Sequence, residues 1–353
     1  MYALTSRYPA LKSALPHLQL TELPTPISRA DALGRQIGLN SLTVKCDDQS
    51  ASLYGGNKVR KLEYLLADAM AQECDAVATF GAVGSNHALA TSIYAAQLGL
   101  ICYAILTDQP MTPNIGKTLR YHAKLGTQIV HTVGYKETLQ AYEKICAGHP
   151  TGSDKVYKIP WGGSSWLGAV GFIAAAMELA DQLPTGEAPD VIYCACGTMG
   201  TAVGLALGLR LARLPTTLQA IQVTPIPVLT GEGFRKLFAT TNQELHARDS
   251  ALPLLDDPFQ NLEIRDEFLG PGYAQVTPAA SEAVELMADE EHIKLEITYT
   301  GKALAALISD ARQGRLAGKK VMFWNTYNSQ PYPEDLAEIS VDGLPESLRK
   351  YLA

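Results

Sequence analysis

From residue 75 onward, short β-branched apolar runs alternate with helical patterns. "DAVATF" is followed by the loop "GAVGSN" and the helix "HALATSIYAAQLGL", then by "ICYAIL", a helix around "NIGKTLRYHAKLG", "TQIVHTV", a helix around "KETLQAYEKICA" and "VYKIP". Strands separated each time by a helix need crossover connections, so this order predicts a parallel sheet with right-handed crossovers. A second series follows: the helix "SWLGAVGFIAAAMELADQL", the strand "DVIYCAC", a Gly-rich turn, the helix "TAVGLALGLRLAR", the strand "LQAIQVT", and later "GKALAALISDARQG" before "KKVMFWNT". Two open, twisted parallel-sheet α/β domains are the economical reading, and 353 residues suffice for two cores. "PWGGSS", residues 160–165, punctuates the crossing between them with Pro and paired Gly. The expected division is residues 1–60 together with 161–353 as the larger domain and 61–160 as the smaller. The stretch 240–275 has no clean period and stays unassigned.

The charge balance bears on partners. The formal net charge is −7 and no long block of like charge appears, so neither nucleic acid nor an acidic membrane surface is an expected partner. No run approaches the roughly 20 apolar residues that span a bilayer, and the N-terminus lacks a basic region followed by a long apolar run. Six scattered cysteines suit reduced, buried thiols. The expected setting is cytoplasmic and the expected partner small.

Three stretches could carry chemistry. "SLYGGNKVRKLEYLL", residues 52–66, puts Lys58, Arg60 and Lys61 in the first turn of an amphipathic helix, with Asn57 suited to the N-cap after Gly55 and Gly56. Cations are disfavoured at a helix N-terminus by about 0.3 to 1 kcal/mol each. A lysine so placed is pushed toward its neutral, nucleophilic form, as a Schiff-base lysine needs. An exposed basic helix start explains the stretch equally well. "CGTMGTAVG", residues 196–204, places Gly197, Thr198, Met199, Gly200 and Thr201 between a buried strand and a helix, where backbone N–H groups and hydroxyls can cradle a phosphate. The G-x-G-x-x-G order and the P-loop lysine are both absent, which weakens hydride transfer and nucleotide hydrolysis. A plain strand-to-helix turn is the other reading. "GSNHA", residues 84–88, offers Ser85, Asn86 and His87 at the C-terminal side of a parallel strand, where ligands bind in open α/β sheets. It is not a nucleophile elbow, and Ser85 as a helix cap alone is sufficient to explain it.

Late in the chain, Tyr273 and Tyr299 each lie beside a glycine, and "FWNTYNS" ends a strand with Thr326. Buried tyrosines are commonly packing residues. The seven histidines never pair at i, i+4, and Cys194-x-Cys196 lacks a second pair, so no metal site is expected.

A candidate Schiff-base lysine, a phosphate-cradling turn and a carboxylate-binding turn together describe a pyridoxal phosphate enzyme handling an amino acid. The chain resembles the D-cysteine desulfhydrase and 1-aminocyclopropane-1-carboxylate deaminase family, of the tryptophan synthase β-like fold (fold type II). "GGNKVRKLEYLLADA" matches that family's cofactor-lysine segment nearly residue for residue. "LTELPTPISRADALG", "GSNHALATSIYAAQLGL", "CGTMGTAVGLALGL" and "YTGKALAALI" fall in the family's order. The resemblance implies that the larger domain binds the cofactor and that the active site lies in the cleft between the domains. It implies that Lys58 carries the cofactor covalently and moves protons on the substrate, and that Lys61 lies near the phosphate. It implies that Ser85 and Asn86 hold the substrate carboxylate and the cofactor's ring hydroxyl, with His87 completing that turn. Residues 197–201 correspond to the phosphate cup, Tyr299 and Tyr273 to active-site tyrosines, and Thr326 to a hydrogen-bond partner of the pyridine nitrogen. A homodimer is implied as well.

Three departures from the family pattern bear on the reaction. The deaminase branch has a Glu after the tyrosine matching Tyr299; here it is Thr300, which cannot supply the same charge and favours β-elimination over cyclopropane ring opening. The family's Arg-Asp-Asp reads "KCDD", with Cys46 in place of Arg. Its "HTGG" reads "NTYN", residues 325–328, so Tyr327 is expected to crowd the pocket wall. The expected activity is β-elimination on D-cysteine or a related β-substituted amino acid, releasing pyruvate, ammonia and sulfide. Cyclopropane amino-acid deamination, small amino-acid racemisation and a cofactor-retaining binding protein without turnover are the alternatives.

Overall fold

Alternating buried strands and helices build two sheets in the computed structural model, which describes residues 3–225 and 229–352. Among the described residues the strands are β1 (Ile27–Arg29), β2 (Leu42–Cys46), β3 (Ala76–Ala82), β4 (Ile101–Thr107), β5 (Gln128–Thr132), β6 (Val156–Lys158), β7 (Val191–Cys196), β8 (Thr217–Gln222), β9 (Leu262–Arg265) and β10 (Val321–Asn325). One sheet has the order β1-β2-β10-β7-β8-β9 and the other β5-β4-β3-β6. Every pairing is parallel except β1 with β2, as helical crossovers require.

The chain divides into two compact units. The first comprises Met1–Leu15, Thr21–Lys61 and Ser164–Ser329; the second comprises Pro16–Leu20, Leu62–Gly163 and Gln330–Ala353. The sequence predicts that residues 161–353 stay together, whereas the C-terminal segment from Gln330 clusters with the second unit. Leu344, Leu348 and Tyr351 pack there with Val83, Ala88, Leu106, Ile115 and Leu119 in one apolar cluster. Irregular chain anchored by a few large side chains leaves no periodic trace in sequence.

In the first unit, two helices set the ground for the site. Trp166–Gln182 is apolar nearly all round and buried over most of its length. It pairs with Gly200–Leu211 through glycines: a Cβ at Gly204 would stand 2.4 Å from the Ala169 carbonyl, and one at Gly208 2.8 Å from that of Ile173. Gly171 admits a third helix start, since its Cβ would lie 2.1 Å from the Arg60 carbonyl oxygen. Small residues thus let the backbone carrying Lys58 approach the two helices closely.

Several elements lie where the sequence showed no clear period. The helix Gly231–Arg248 runs into the unassigned stretch, and its buried face includes Thr241 and Asn242, which break the apolar repeat. Past the short strand β9 no regular element forms until Thr277 caps the helix Pro278–Glu291 through the Ala280 amide, at 3.2 Å. No helix among the described residues is long and apolar enough to cross a membrane.

Candidate active site

The segment with the three cations resolves into three environments. The helix Asn57–Ala71 begins at Asn57 itself. Asn57 is therefore inside the helix rather than its cap, and its side-chain amide donates to Thr201 Oγ1 at 3.1 Å. Its backbone N–H donates to the Thr326 carbonyl (3.1 Å), and Gly55 N–H donates to Asn328 Oδ1 (2.7 Å). Gly56 turns the chain at φ +92°, where a Cβ would lie 3.0 Å from the Thr326 carbonyl. The lysine segment is thus tied to the end of β10. Asn328, which stands where the family has a glycine, serves as one of the ties.

Residues 58 and 60 lie about 200° apart around the helix, and residues 58 and 61 about 60° apart. Arg60 accordingly points away from the two lysines. It is 1% exposed, and its guanidinium donates to Asp47 (2.7 and 3.0 Å), Glu178 (3.0 Å twice) and Thr25 Oγ1 (3.0 Å). Lys45 Nζ donates to Glu178 (2.6 Å), and Trp324 Nε1 donates to Asp47 (2.8 Å). Two cations and two carboxylates close into a neutral buried network. Burial opposes the Arg60 charge, but Asp47 and Glu178 outweigh it and raise its pKa. Burial likewise opposes the Glu178 charge, and Arg60 and Lys45 overcome it to bring that carboxyl down to about 2. Cys46, between two members of this network on β2, faces the opposite side of the strand and joins the apolar core.

Lys58 and Lys61 meet the phosphate-loop candidate. The strand β7 ends at Cys196, and Met199 adopts φ +67° just before the helix Gly200–Leu211. The Ser164 hydroxyl donates to Thr198 Oγ1 (2.9 Å) and accepts from Gly200 N (3.0 Å). A Cβ at Gly200 would stand 2.7 Å from Ser164 Oγ and 3.0 Å from Lys61 Nζ, so glycine is what lets both groups approach the helix start this closely. The turn therefore assembles hydroxyls of Ser164, Thr198 and Thr201, a helix N-terminus and a buried lysine amine. Burial, reinforced by Lys58, pushes the Lys61 amine well below the ordinary lysine value. Burial also pushes the Lys58 amine down, to about 8, with Cys194, Cys196 and Glu296 pulling the other way.

Lys58 Nζ lies 6.0 Å from the centre of the Tyr299 ring. The Tyr299 and Tyr273 hydroxyls are 2.7 Å apart, their rings packed edge to face. Burial raises both phenols, Tyr273 to about 12 and Tyr299 well above its ordinary value; their mutual hydrogen bond lowers the first and raises the second. Of the two, Tyr299 is the stronger holder of its proton.

Residues not singled out in the sequence fix this pair. Glu296 accepts from the backbone N–H groups of Thr298 (2.8 Å), Tyr299 (2.7 Å) and Thr300 (2.8 Å), capping the helix Thr300–Arg312. The Thr300 hydroxyl is turned to Glu296 as well, at 3.2 to 3.3 Å. Lys302 Nζ donates to the carbonyls of Leu269 (2.7 Å) and Gly272 (2.8 Å), holding the loop that carries Tyr273. The only sequence signal for Glu296 was an acid just before a helix start.

The third stretch belongs to the second unit. Ser85 caps the helix Asn86–Gln97 by accepting from Ala88 N at 3.2 Å, which leaves its own O–H to donate elsewhere. Gly81 makes room, because a Cβ there would lie 2.6 Å from Ser85 Oγ. Asn86 is half-buried and His87 is buried in the first turn.

Comparison with known proteins bears directly on this arrangement. Residues 18–326 match the model of the family described as pyridoxal-phosphate dependent enzymes. The chain belongs to that family. The D-cysteine desulfhydrase of Salmonella schwarzengrund (strain CVM19633) is 34% identical over 309 residues, which is 85% of this chain and 90% of that protein. The crystal structure of an ACC deaminase homologue superposes with a TM-score of 0.79 at 30% identity, covering 94% of this chain and 98% of that one. Threonine deaminase isoform 2 from Solanum lycopersicum, at 15% identity, shares the fold alone, with a TM-score of 0.60 over 95% of this chain and 87% of its own. The chain is a fold type II pyridoxal phosphate enzyme of the D-cysteine desulfhydrase and deaminase group.

The residues present fit that cofactor. Lys61 Nζ and Ser164 Oγ both approach the helix start at Gly200 closely, and a lysine amine and a hydroxyl at a helix N-terminus suit a phosphate. A second amine, Lys58, half-buried, stands one helical turn back with its pKa lowered to about 8. Among the described residues no group of three or more His, Cys, Asp or Glu side chains is placed to hold a metal ion.

Proposed function

We propose that this enzyme is a lyase acting on D-cysteine or a related β-substituted amino acid, releasing pyruvate, ammonia and sulfide or another leaving group. The observation that carries the reading is the Lys58 amine, lowered to about 8 and 6.0 Å from the centre of the Tyr299 ring, whose hydroxyl is hydrogen-bonded to that of Tyr273. Elimination needs a base for the α-proton and a proton donor near the departing group, and these are one of each.

Bound pyridoxal phosphate supplies an electron sink for the pair released at the substrate's α-carbon. In our reading Lys58 would carry the cofactor, and its Nζ would take the substrate's α-proton. Lys61, Ser164, Thr198, Gly200 and Thr201 hold the phosphate, with Gly197 and Met199 shaping the turn. Thr326 hydrogen-bonds the pyridine nitrogen. Ser85 and Asn86 bind the substrate carboxylate, Asn86 also reaches the ring hydroxyl, and His87 completes their turn. Tyr299 holds the proton given to the leaving sulfur, with Tyr273 setting its orientation.

The choice of β-elimination over cyclopropane opening rests on Thr300. Its hydroxyl is committed to Glu296, so position 300 offers the pyridine ring no carboxylate. We further read the protein as cytoplasmic, which its free cysteines suit, and as a homodimer, which only the family resemblance implies. Purified holoprotein mixed with D-cysteine, L-cysteine and 1-aminocyclopropane-1-carboxylate tests the reading. Pyruvate and sulfide from D-cysteine are expected; 2-oxobutyrate from the cyclopropane substrate alone would replace it with the deaminase activity.

A further inference from the structure

The C-terminal segment lies beyond the residues that match the family model, yet it reaches the Ser85 turn through two side chains. Tyr351 ends the short helix Glu346–Tyr351 and is 6% exposed. With Leu344 and Leu348 it packs in the cluster that contains Val83 and Ala88, the residues on either side of the turn 84–87. Its phenol lies 2.8 Å from Asp108 Oδ1 and 3.1 Å from the Gln109 carbonyl, and it accepts from Gln109 N at 3.3 Å. Lys350 pairs with the same Asp108 at 2.9 Å.

Gln109 in turn holds the turn. Its Oε1 accepts from the Gly84 backbone N–H at 3.0 Å, and its amide lies where a Gly84 side chain would be, 2.9 Å from that Cβ position. Just before it, Val83 N–H donates to the Thr107 carbonyl at the end of β4, at 2.9 Å. The Gln109 side chain therefore extends the pairing of β3 with β4 by one more rung, onto the turn itself. Without it, Gly84 is a residue of wide conformational freedom directly before Ser85 and Asn86.

We propose that Gln109, held by Tyr351, is the positioning residue of the turn 84–87 and thereby sets the affinity for the substrate carboxylate. The second half rests on the reading of Ser85 and Asn86 given above. Hydrogen exchange of the holoprotein tests the first half without substrate. Gln109→Met keeps the volume and removes the acceptor; Tyr351→Phe keeps the buried ring and removes the hydroxyl. Each should speed exchange of the segment 83–90 by about tenfold, the scale of one lost hydrogen bond. The double variant should exchange no faster than Gln109→Met, because Tyr351 acts through Gln109. The KM for D-cysteine should rise by about tenfold in Gln109→Met while kcat stays within about twofold and the cofactor absorbance is unchanged. Unaltered exchange in Gln109→Met, or additive effects in the double variant, would overturn the proposal. Ser85→Ala and Asn86→Ala separate the two readings. If both leave KM unchanged, the carboxylate assignment fails; if they raise it and Gln109→Met does not, the positioning inference fails alone.

Discussion

The Tyr273 and Tyr299 hydroxyls stand 2.7 Å apart, and the ring of Tyr299 faces the Lys58 amine. One phenol therefore orients the proton of the other. Tyr299→Phe should lower kcat on D-cysteine by about 100-fold to 10,000-fold, the range for loss of a positioned acid. Tyr273→Phe leaves that acid in place and should cost about tenfold, through orientation alone. Steady-state kinetics on both variants checks the order; equal losses would contradict it.

Cofactor affinity should depend on the close approach of Ser164 and Lys61 to Gly200. A Cβ there meets Ser164 Oγ and Lys61 Nζ, so Gly200→Ala displaces the groups assigned to the phosphate. Lys61→Gln removes a charge-assisted hydrogen bond of about 1.5 to 3 kcal/mol, which is about 10-fold to 150-fold in Kd. Fluorescence titration of apoprotein with pyridoxal phosphate measures both variants. Wild-type affinity in either would place the phosphate elsewhere.

Arg60 supports the same helix from its other side. Arg60→Met leaves Asp47 and Glu178 buried without their main partner, a change that costs about 3 to 5 kcal/mol of stability. Arg60→Lys should rescue it only partly, since an ammonium group cannot span both carboxylates as the guanidinium does. Urea unfolding of the variants is the measurement, with a lowered midpoint expected in the order Met below Lys below wild type.

How far these parts were legible in the sequence depends on how locally each is encoded. Lys58 and Lys61 could be read because they violate a local rule, cations in the first turn of a helix, and because the glycines around them mark a forced turn. The alternating apolar runs likewise reveal the strands and crossovers from β3 to β8. Arg60 had no readable role: its partners Thr25, Lys45, Asp47, Glu178 and Trp324 are scattered from residue 25 to residue 324 and meet only in the folded chain. Ser164 and Lys302 were hidden for the same reason. The strand β1, three residues long, is too short to show a period. Tyr327 is buried, and Asn328 beside it ties down Gly55, a long-range contact that no local pattern announces.

The lowered Lys58 pKa gives a pH prediction. Its folded value of about 8 lies below the ordinary 10.5, so the amine is protonated and unreactive below about pH 8 and becomes free as pH rises through that value. Competitive labelling of apoprotein with a lysine-directed reagent should show Lys58 reactivity rising with a midpoint near 8 and level above it. A midpoint near 10.5 would show a solvated, ordinary lysine.

We read Lys58 as the residue that carries the cofactor and drives elimination from D-cysteine. The most direct measurement compares wild type with Lys58→Ala, each incubated with pyridoxal phosphate and D-cysteine while visible absorbance, pyruvate and sulfide are followed together. Wild type should be yellow and release pyruvate and sulfide in equal amounts; Lys58→Ala should lose the wild-type absorbance and release neither. A Lys58→Ala protein with the wild-type spectrum and undiminished turnover would contradict the account.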